Sequence, residues 1–248
     1  MSITAIIQAR MESSRLGGKV LMKINGTSIL ECLLKQIRFS KLLDDVIIAT
    51  TLNKEDDEIF YFAKKNGIKI FRGSEKDVLD RYYQCSKQFS LTHIARITAD
   101  NPLIDPTIID KVITLYKNNR YDYVNNFLER TFPVGTECEV FSFKSLEKTW
   151  RETKNKTDRE HVTSFIYKNP KKFSIGCLKN KKNLSHLHWT VNRIEDLNLV
   201  RAIYSKISNR PVQLEDILKI LDEDPALIEI NKNIDPHEGY LKSFKEDD

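Results

Sequence analysis

The sequence predicts an α/β fold built on a doubly wound, mostly parallel sheet. Over the first 125 residues, short β-type segments alternate with helical patterns, as they do in βαβ units that feed a parallel sheet. Each of these segments leads into a polar loop, and such loops form the ligand-binding edge of an open α/β sheet. The length of 248 residues indicates one large domain with a small addition rather than two equal domains.

The four predicted strands are short, apolar and bounded by polar or glycine-containing segments. They span residues 4–8, 46–50, 68–71 and 93–98. Three helix start signals lie among them, namely Ser28 with Glu31, Ser74 with Asp77, and Asp105 with Pro106. The first two resemble capping boxes, and a proline directly after an aspartate cap suits the first helical turn. We therefore expect helices to connect these strands.

The pattern becomes less regular from residue 121 to residue 177, which we interpret as a small inserted subdomain. Residues 137–141 and 173–177 are typical of strands. Between them, a capping-box pattern predicts that a helix begins near Thr157. The insertion is therefore expected to have its own strands and helices.

After the insertion, residues 187–191 predict a further strand that leads into a long helix. Apolar residues recur at helical spacing from Ile194 onward, and Asn192 is a suitable N-cap for that helix. Residues 209–248 predict a C-terminal extension of short helices that ends in a charged tail. Neither an internal repeat nor a flexible linker divides the chain, so we expect residues 1–248 to form one domain.

The composition excludes several classes of protein. Lysine and arginine number 40, aspartate and glutamate 35, so the formal charge is +5, and 40% of the residues are hydrophobic. This balance is not that of a disordered or collagenous chain. No apolar run approaches the roughly 20 residues of a membrane-spanning helix, and the opening residues do not form a signal peptide. The four widely spaced cysteines are typical of reduced thiols, so we expect a cytoplasmic protein without a membrane partner.

The loop after the first predicted strand, residues 8–19, has the composition of a polyphosphate-binding loop. It reads QARMESSRLGGK and thus combines three cations, two hydroxyls and two adjacent glycines. Backbone N–H groups, hydroxyls and cations all bind phosphate oxygens, and glycines allow close approach. The spacing matches neither the P-loop nor the dinucleotide-binding motif. By composition alone, a solvated basic surface loop is an equally good interpretation.

A single carboxylate, Asp100, follows the strand predicted at residues 93–98. Magnesium prefers one or two protein carboxylates together with phosphate oxygens and water, so Asp100 facing a phosphate loop would suit it. The alternative is that Asp100 only caps a turn before Pro102. The phosphate-type loop favours the metal interpretation.

Two further polar segments are candidates with structural alternatives. Arg72 and Ser74 follow the third predicted strand, where base or ribose contacts are plausible, but Ser74 also suits a helix cap. Residues 158–161 read DREH, a dense polar cluster that the first turn of a helix would equally explain.

Taken together, these segments resemble the cytidylyltransferases that make CMP-activated acidic sugars, the CMP-Kdo and CMP-sialic acid synthetase superfamily. Within it, the resemblance is strongest to the branch called spore coat polysaccharide biosynthesis protein F. The motifs that carry the resemblance occur in the same order along nearly the whole chain. They are residues 6–11, 13–16, 18–21, 71–74, 77–79, 96–100, 102–105, 130–133, 158–163, 184–187 and 238–240.

The resemblance implies a Rossmann-like nucleotidyltransferase fold, and a reaction in which a sugar-acid hydroxyl attacks the α-phosphate of CTP and releases pyrophosphate. It implies that Arg10, Lys19 and Asp100 are catalytic and that Asp100 holds Mg²⁺. The nucleotide-binding residues that it implies are Gln8, Ala9, Arg10, Ser14, Arg15, Lys19, Arg72, Ser74 and Ala99. Related synthetases are often homodimers, so residues 121–177 are the expected dimer interface.

Two positions depart from the family pattern. Gly17 stands where the phosphate loop usually has proline, so the loop should be less pre-organised. Asn192 stands where the CMP-Kdo enzymes have an aspartate that binds metal. Three explanations are open. One carboxylate is enough to bind the metal, or Asn192 or a nearby acid is a second ligand, or catalysis is reduced. The acids considered are Asp196, Glu137 and Glu139, and the candidate acceptor contacts are Glu137, Glu139 and Arg159.

Two other functions compete with a CTP:sugar-acid cytidylyltransferase. The candidate residues do not determine which acceptor is used. A related nucleotidyltransferase that acts on a phosphorylated or phosphonate acceptor is therefore an alternative. A non-catalytic nucleotide- or RNA-binding protein would use the basic residues within 168–173 and 179–182. The net charge of +5 is modest for nucleic-acid binding, so we expect CTP and an acidic sugar as partners instead.

Overall fold

A computed structural model describes residues 1–236 and residue 238 of the protein. Within this part of the chain, nine strands form two sheets. The strands are β1 (Ile3–Gln8), β2 (Lys23–Ile24), β3 (Thr27–Ser28), β4 (Asp45–Thr51), β5 (Lys69–Gly73), β6 (His93–Thr98), β7 (Tyr123–Asn125), β8 (Glu139–Ser142) and β9 (Ile175–Cys177). The α-helices of the described residues are α1 (Ile29–Ile37), α2 (Asp57–Lys65), α3 (Val78–Gln88), α4 (Pro106–Asn118), α5 (Phe143–Glu152), α6 (Lys156–His161), α7 (Ser164–Lys168), α8 (Ile194–Lys206) and α9 (Leu214–Glu223).

The main sheet has seven strands in the order β5-β4-β1-β6-β8-β7-β9, and β2 pairs with β3 separately. The pairs β5–β4, β4–β1, β1–β6 and β7–β9 are parallel, whereas β8 runs antiparallel to both of its neighbours. The predicted α/β class with a mostly parallel sheet is therefore confirmed. The loops after β1 and β6 lie side by side, because these strands are adjacent and parallel.

Helices cover both faces of the sheet, as a doubly wound fold requires. Along β1 the side chains alternate: Ala5 and Ile7 join a core cluster with α1, α2 and α4. Ile6 points to the other face and joins a cluster with α3, α5 and α7. All three side chains are fully buried. Burial on both faces explains why β1 is a continuous apolar run rather than an alternating one.

Two predicted helix starts are confirmed, since Ser28 caps α1 and Asp105 caps α4 with Pro106 in its first turn. The prediction at Ser74 is wrong. Helix α3 begins later, at Val78, because Asp77 is its N-cap and Ser74 Oγ accepts from the Asp77 N–H instead.

Three other sequence predictions, two for helix caps and one for a strand, are also wrong. Asn155, rather than a residue near Thr157, caps α6. Residues 187–191 form an extended segment rather than a strand, and their bridge is a single pairing of His188 with Val134. Asn192 is not the N-cap of α8, because Arg193 occupies that position.

The irregular region of residues 121–177 extends the main sheet, since it contributes β7, β8 and β9. Its interpretation as a dimerisation subdomain stays a prediction. In the C-terminal region, α9 is followed by a 3₁₀ segment, Pro225–Ile230. Residue 237 and residues 239–248, which include most of the predicted charged tail and two residues of the family motif, lie outside the described residues. In the described part of the chain, every helix is too short or too polar to span a membrane.

Candidate active site

A cleft of about 610 Å³ opens at the carboxyl ends of β1 and β6. Eight of the residues predicted to form the site line it. They are Gln8, Ala9, Arg10, Ser14, Arg15, Lys19, Ala99 and Asp100. The structure thus brings the phosphate-type loop and the predicted metal aspartate to one place, as the adjacency of β1 and β6 requires.

A backbone hydrogen bond joins the two ends of the phosphate-type loop, and a second hydrogen bond anchors the loop to Asp56. The Gly18 N–H donates to the Met11 carbonyl over 2.8 Å, and the Met11 N–H donates to Asp56 Oδ1 over 2.6 Å. Gly18 adopts a φ of 67°, a left-handed conformation that glycine takes without strain. This turn leads into the short 3₁₀ segment Lys19–Leu21. The side chain of Lys19, the first residue of that segment, lines the cleft.

Lys19 joins the loop to two distant parts of the chain. Its Nζ donates to Asp100 Oδ2 over 2.8 Å, to the Val191 carbonyl over 2.7 Å and to Asn192 Oδ1 over 3.0 Å. All three donor positions of the ammonium are therefore used. Lys19 and Asn192 are buried, so the ammonium is fixed beside the cleft and does not move freely as a surface lysine would.

Lys19 also controls the charge of Asp100. Burial alone would raise the pKa of the Asp100 carboxyl. The positive charge of Lys19 and hydrogen bonds from Lys19 and Thr98 outweigh burial and hold that pKa below its usual value. Asp100 is consequently an anion at neutral pH, as a metal ligand must be.

The turn before α8 is held by Asp196, which is fully buried. Its Oδ2 accepts from the backbone N–H groups of Asn192 and Arg193, both over 2.9 Å, and its Oδ1 accepts from Asn231 Nδ2. Because these bonds satisfy both oxygens, Asp196 fixes the turn and is not exposed to the cleft. The Asn192 side chain is thereby left to bind Lys19 rather than to cap the helix.

This arrangement predicts an acid-sensitive contribution to stability. Burial would raise the pKa of Asp196, but hydrogen bonds from His188, Asn231 and the backbone hold it below the usual value. The unfolded chain, with an aspartate pKa of about 3.9, then binds the proton more readily, so this stabilisation is present above that pH and is lost as the pH falls.

Asp196→Asn should therefore lower the free energy of unfolding at pH 7 by roughly 2 kcal/mol, because one oxygen acceptor becomes a donor. Urea titrations of both proteins between pH 7 and pH 3 check this expectation. The variant should lose less stability on acidification than the wild type. Asp222→Asn, at an exposed position, serves as the control, and equal acid sensitivity of all three proteins would contradict the assignment.

Arg72 and Ser74, predicted to contact nucleotide, do not line the cleft in this structure. The Arg72 guanidinium donates to the Thr51 and Asn53 carbonyls and pairs with Asp57 over 2.5 Å. It therefore ties β5 to the loop after β4. Ser74 holds the turn before α3.

The three candidate acceptor contacts are also engaged by the protein. Glu137 accepts from Arg130 and from the Gly135 N–H, each over 2.7 Å. Arg159 donates to Asp77, the N-cap of α3, over 2.7 Å. Glu139 is buried and pairs with Arg96 below the cleft. None of the three lines the cleft itself.

Nine of the described residues that line the cleft were not among the predicted site residues: Glu12, Ser13, Val20, Thr98, Glu160, His161, Arg193, Pro236 and Glu238. Glu160 and His161 lie at the end of α6, and Arg193 lies before α8, where it pairs with Glu238 over 2.8 Å. The DREH cluster was the sequence signal for Glu160 and His161. Val162, which follows them, has a φ of 64°, a rare conformation for a β-branched residue that tends to occur at functional sites.

Comparison with known proteins identifies the family. A family model described as Cytidylyltransferase matches residues 4–234. The chain belongs to the cytidylyltransferase family. It is 42% identical over 248 residues to an uncharacterized protein of Methanocaldococcus jannaschii, with 99% of each chain covered. It is 31% identical over 233 residues to the spore coat polysaccharide biosynthesis protein SpsF of Bacillus subtilis, covering 90% of this chain and 95% of that one.

A solved structure of a cytidylyltransferase from Leptospira borgpetersenii has a TM-score of 0.88 to this chain. The two are 33% identical, and the match covers 92% of this chain and 97% of the other. The resemblance to cytidylyltransferases of the CMP-Kdo and SpsF type, and the Rossmann-like nucleotidyltransferase fold, are therefore confirmed. This cytidylyltransferase is a nucleotidyltransferase enzyme.

The cleft of the cytidylyltransferase suits a metal ion that is shared with its substrate. Within residues 1–236 and 238, no three His, Cys, Asp or Glu side chains converge on a metal site. Mg²⁺ does not need such a cage, because it binds one or two protein oxygens together with phosphate oxygens and water. The Asp100 carboxylate lies beside the phosphate-type loop, and Asn192 Oδ1 lies at the same ammonium. These residues fit Mg²⁺ held jointly with a triphosphate.

Proposed function

We propose that the protein is a Mg²⁺-dependent cytidylyltransferase that transfers CMP from CTP to an acidic 2-keto-3-deoxy sugar in surface polysaccharide or glycan biosynthesis. The observation that carries the proposal is the contact of Lys19 with Asp100 and Asn192, directly beneath the loop that contains Arg10 and Arg15. It joins a fixed cation, an anionic carboxylate and two further cations in one cleft, which is what a nucleoside triphosphate and a divalent cation require together.

In the proposed reaction, a hydroxyl oxygen of the sugar acid forms a bond to the α-phosphorus of CTP. The bond from that phosphorus to the oxygen bridging to the β-phosphate breaks, pyrophosphate leaves, and the hydroxyl proton passes to solvent. Such a transfer depends on alignment and on neutralising charge rather than on covalent catalysis by the protein.

Different residues of the cleft would bind the phosphates, stabilise negative charge and hold the metal ion. Arg10 and Arg15 line the cleft, and neither forms an ion pair with another described residue, so both cations are available to the β- and γ-phosphates. Lys19 is already oriented by its three hydrogen bonds, so it can stabilise charge without reorganising. Asp100 and Asn192 would hold Mg²⁺, which when bound neutralises phosphate charge.

The acceptor, the assembly and the location are part of the same proposal. The family resemblance and the name of the SpsF relative support an acidic sugar for polysaccharide biosynthesis. We propose a homodimer that pairs through residues 121–177 and acts in the cytoplasm. Size-exclusion chromatography with light scattering tests the dimer, and a monomeric mass at micromolar concentration would contradict it.

Pyrophosphate release tests the activity. The purified protein is incubated with Mg²⁺, each of the four nucleoside triphosphates in turn, and a panel of 2-keto-3-deoxy sugar acids. We expect release with CTP and one acid, and none when either is omitted. Release with a phosphorylated or phosphonate acceptor but with no sugar acid would favour the alternative nucleotidyltransferase activity.

The departure at Asn192 gives a prediction about the metal. Asn192→Asp places a second carboxylate at the Lys19 ammonium, which is now 3.0 Å from the amide oxygen. The added negative charge should attract Mg²⁺ more strongly. The Mg²⁺ concentration for half-maximal activity should therefore fall by about three- to tenfold. Asn209→Asp, at an exposed position, is the control. An unchanged Mg²⁺ requirement would show that Asn192 only binds Lys19.

A further inference from the structure

A buried ion pair lies under the cleft between two antiparallel strands. Arg96 on β6 faces Glu139 on β8 in the strand register, and the Arg96 Nη1 donates to Glu139 Oε1. The side chains of Arg96 and Glu139 are only 15% and 3% exposed. Pairs buried to this degree are costly to desolvate and contribute little to stability on balance, so stability alone does not explain the presence of this pair.

Glu139 is held by more than the arginine. Its Oε2 accepts from the Tyr123 hydroxyl over 2.7 Å and from the Thr163 hydroxyl. Burial and the charge of Glu139 raise the pKa of Tyr123 well above its usual value, so its hydroxyl stays a donor. With both oxygens satisfied, Glu139 has one orientation, and the guanidinium of Arg96 is fixed with it.

The other end of the arginine reaches a cleft residue. Arg96 Nη2 donates to Gln8 Oε1 over 3.4 Å, and Gln8 lines the cleft. A reversed amide would place the NH₂ group of Gln8 against an N–H of the guanidinium, two donors facing each other. The pair therefore selects one orientation of the amide. Among the described residues, no acceptor pairs with Gln8 Nε2, so this donor is available to a ligand.

The family resemblance already implies that Gln8 binds nucleotide; we propose that the Arg96–Glu139 pair and Thr163 fix its amide so that Nε2 donates to a carbonyl or carboxylate oxygen of the bound substrate. Arg96, Glu139 and Thr163 are positioning residues that act through Gln8. The inference rests on the proposed function and deepens it, because it names the atom of Gln8 that contacts the substrate and the residues that fix its orientation. The oxygen is either the ring carbonyl of the nucleotide base or the carboxylate of the sugar acid, and the two sources are separable by experiment.

The first test replaces Gln8 with methionine, which keeps the length of the side chain and removes the donor. We expect the KM or the directly measured Kd of one substrate to rise about tenfold, with a smaller change in kcat. A rise for CTP assigns the oxygen to the base, and a rise for the sugar acid assigns it to the acceptor. Gln88→Met, at the exposed end of α3, is the matched control. Constants within twofold of wild type for both substrates would overturn the inference.

The second test separates positioning from general stability. Thr163→Val keeps the shape of a buried side chain but removes one donor to Glu139, whereas Thr163→Ser keeps the hydroxyl. The valine variant should raise the same constant as Gln8→Met, the serine variant should restore it, and the double variant should be no worse than Gln8→Met alone. Independent, additive effects would overturn the positioning part.

Failure of the proposed function would look different. It is judged on the wild type, by the absence of pyrophosphate release, whereas the inference is judged by comparing variant and wild-type Kd values from calorimetry. If the wild type binds neither CTP nor a sugar acid, the inference falls together with the proposed function. If it binds either one without turnover, the Gln8 comparison still decides the inference.

Discussion

Asp100→Ala should lower kcat roughly a thousandfold, the scale of loss expected when a principal charge-stabilising group is removed from a phosphoryl-transfer site. The Asp100 carboxylate lines the cleft together with the phosphate-type loop, and it also orients Lys19. Its removal would take away the proposed charged ligand for Mg²⁺ and leave the buried ammonium without its counter-ion. Steady-state kinetics of pyrophosphate release at saturating CTP and Mg²⁺ measures the effect.

Two controls keep this result interpretable. Removing one partner of a largely buried ion pair costs about 3 kcal/mol, so the melting temperature of the variant must show that it is folded under assay conditions. Asp222→Ala, at an exposed position, should retain wild-type kinetics. Activity of the Asp100 variant above a tenth of wild type would contradict its assignment to the metal.

Lys19→Met should lower kcat/KM for CTP by roughly a hundredfold or more, because the cleft loses a pre-oriented positive charge that would stabilise the phosphates. Methionine has a similar length, so the fold around the loop is preserved better than with alanine. The variant also removes the positive charge that holds the Asp100 pKa low. That pKa should rise, and NMR titration of the carboxyl carbons would detect the change.

Lys23 offers a matched comparison, since it lies four positions along the chain and is exposed. Lys23→Met should leave kcat/KM for CTP unchanged. Arginine is not an adequate substitute at position 19, because its planar guanidinium cannot donate in the same three directions as an ammonium. Unchanged kinetics in the Lys19 variant would remove this residue from the phosphate site.

The parts of the fold that were predictable depend on local signals. Asp105 and Pro106 marked the start of α4 by side-chain chemistry that acts within one turn. The strand at residues 93–98 has the same bounds in the structure, because its apolar run is bounded on both sides by polar residues. The positions of the polar loops then followed from the rule for parallel sheets.

The contacts that were not predictable join residues far apart in the chain. Lys19 and Asn192 are separated by 173 positions, and no local pattern indicates that an asparagine before a helix will bind a lysine instead of the helix. The helix cap failed as a prediction because α8 begins one residue later, with Arg193 as its N-cap, and the Asn192 side chain accepts from Lys19 instead. The apolar run at residues 187–191 was read as a strand because an extended buried segment has the same pattern.

The basic segments show the same limitation. Composition within residues 168–173 and 179–182 suggested an RNA-binding surface, but several of these lysines are paired within the chain. Lys172 pairs with Glu152 over 2.7 Å, and Lys179 pairs with Glu129. The free positive charge on this surface is therefore smaller than the sequence implies. Arg10 and Arg15, which form no ion pair with any residue that the structure describes, line the cleft instead.

Phosphorus NMR of the complete reaction tests the central claim most directly, since it shows which phosphate of CTP is attacked. With Mg²⁺, CTP and the sugar acid that supports turnover, we predict a new phosphodiester signal of a CMP-sugar and pyrophosphate in equal amounts. Release of inorganic phosphate with CDP would show attack at the γ-phosphate instead. That result, or an unchanged CTP spectrum across the whole panel of sugar acids, would contradict a cytidylyl transfer to an acidic sugar.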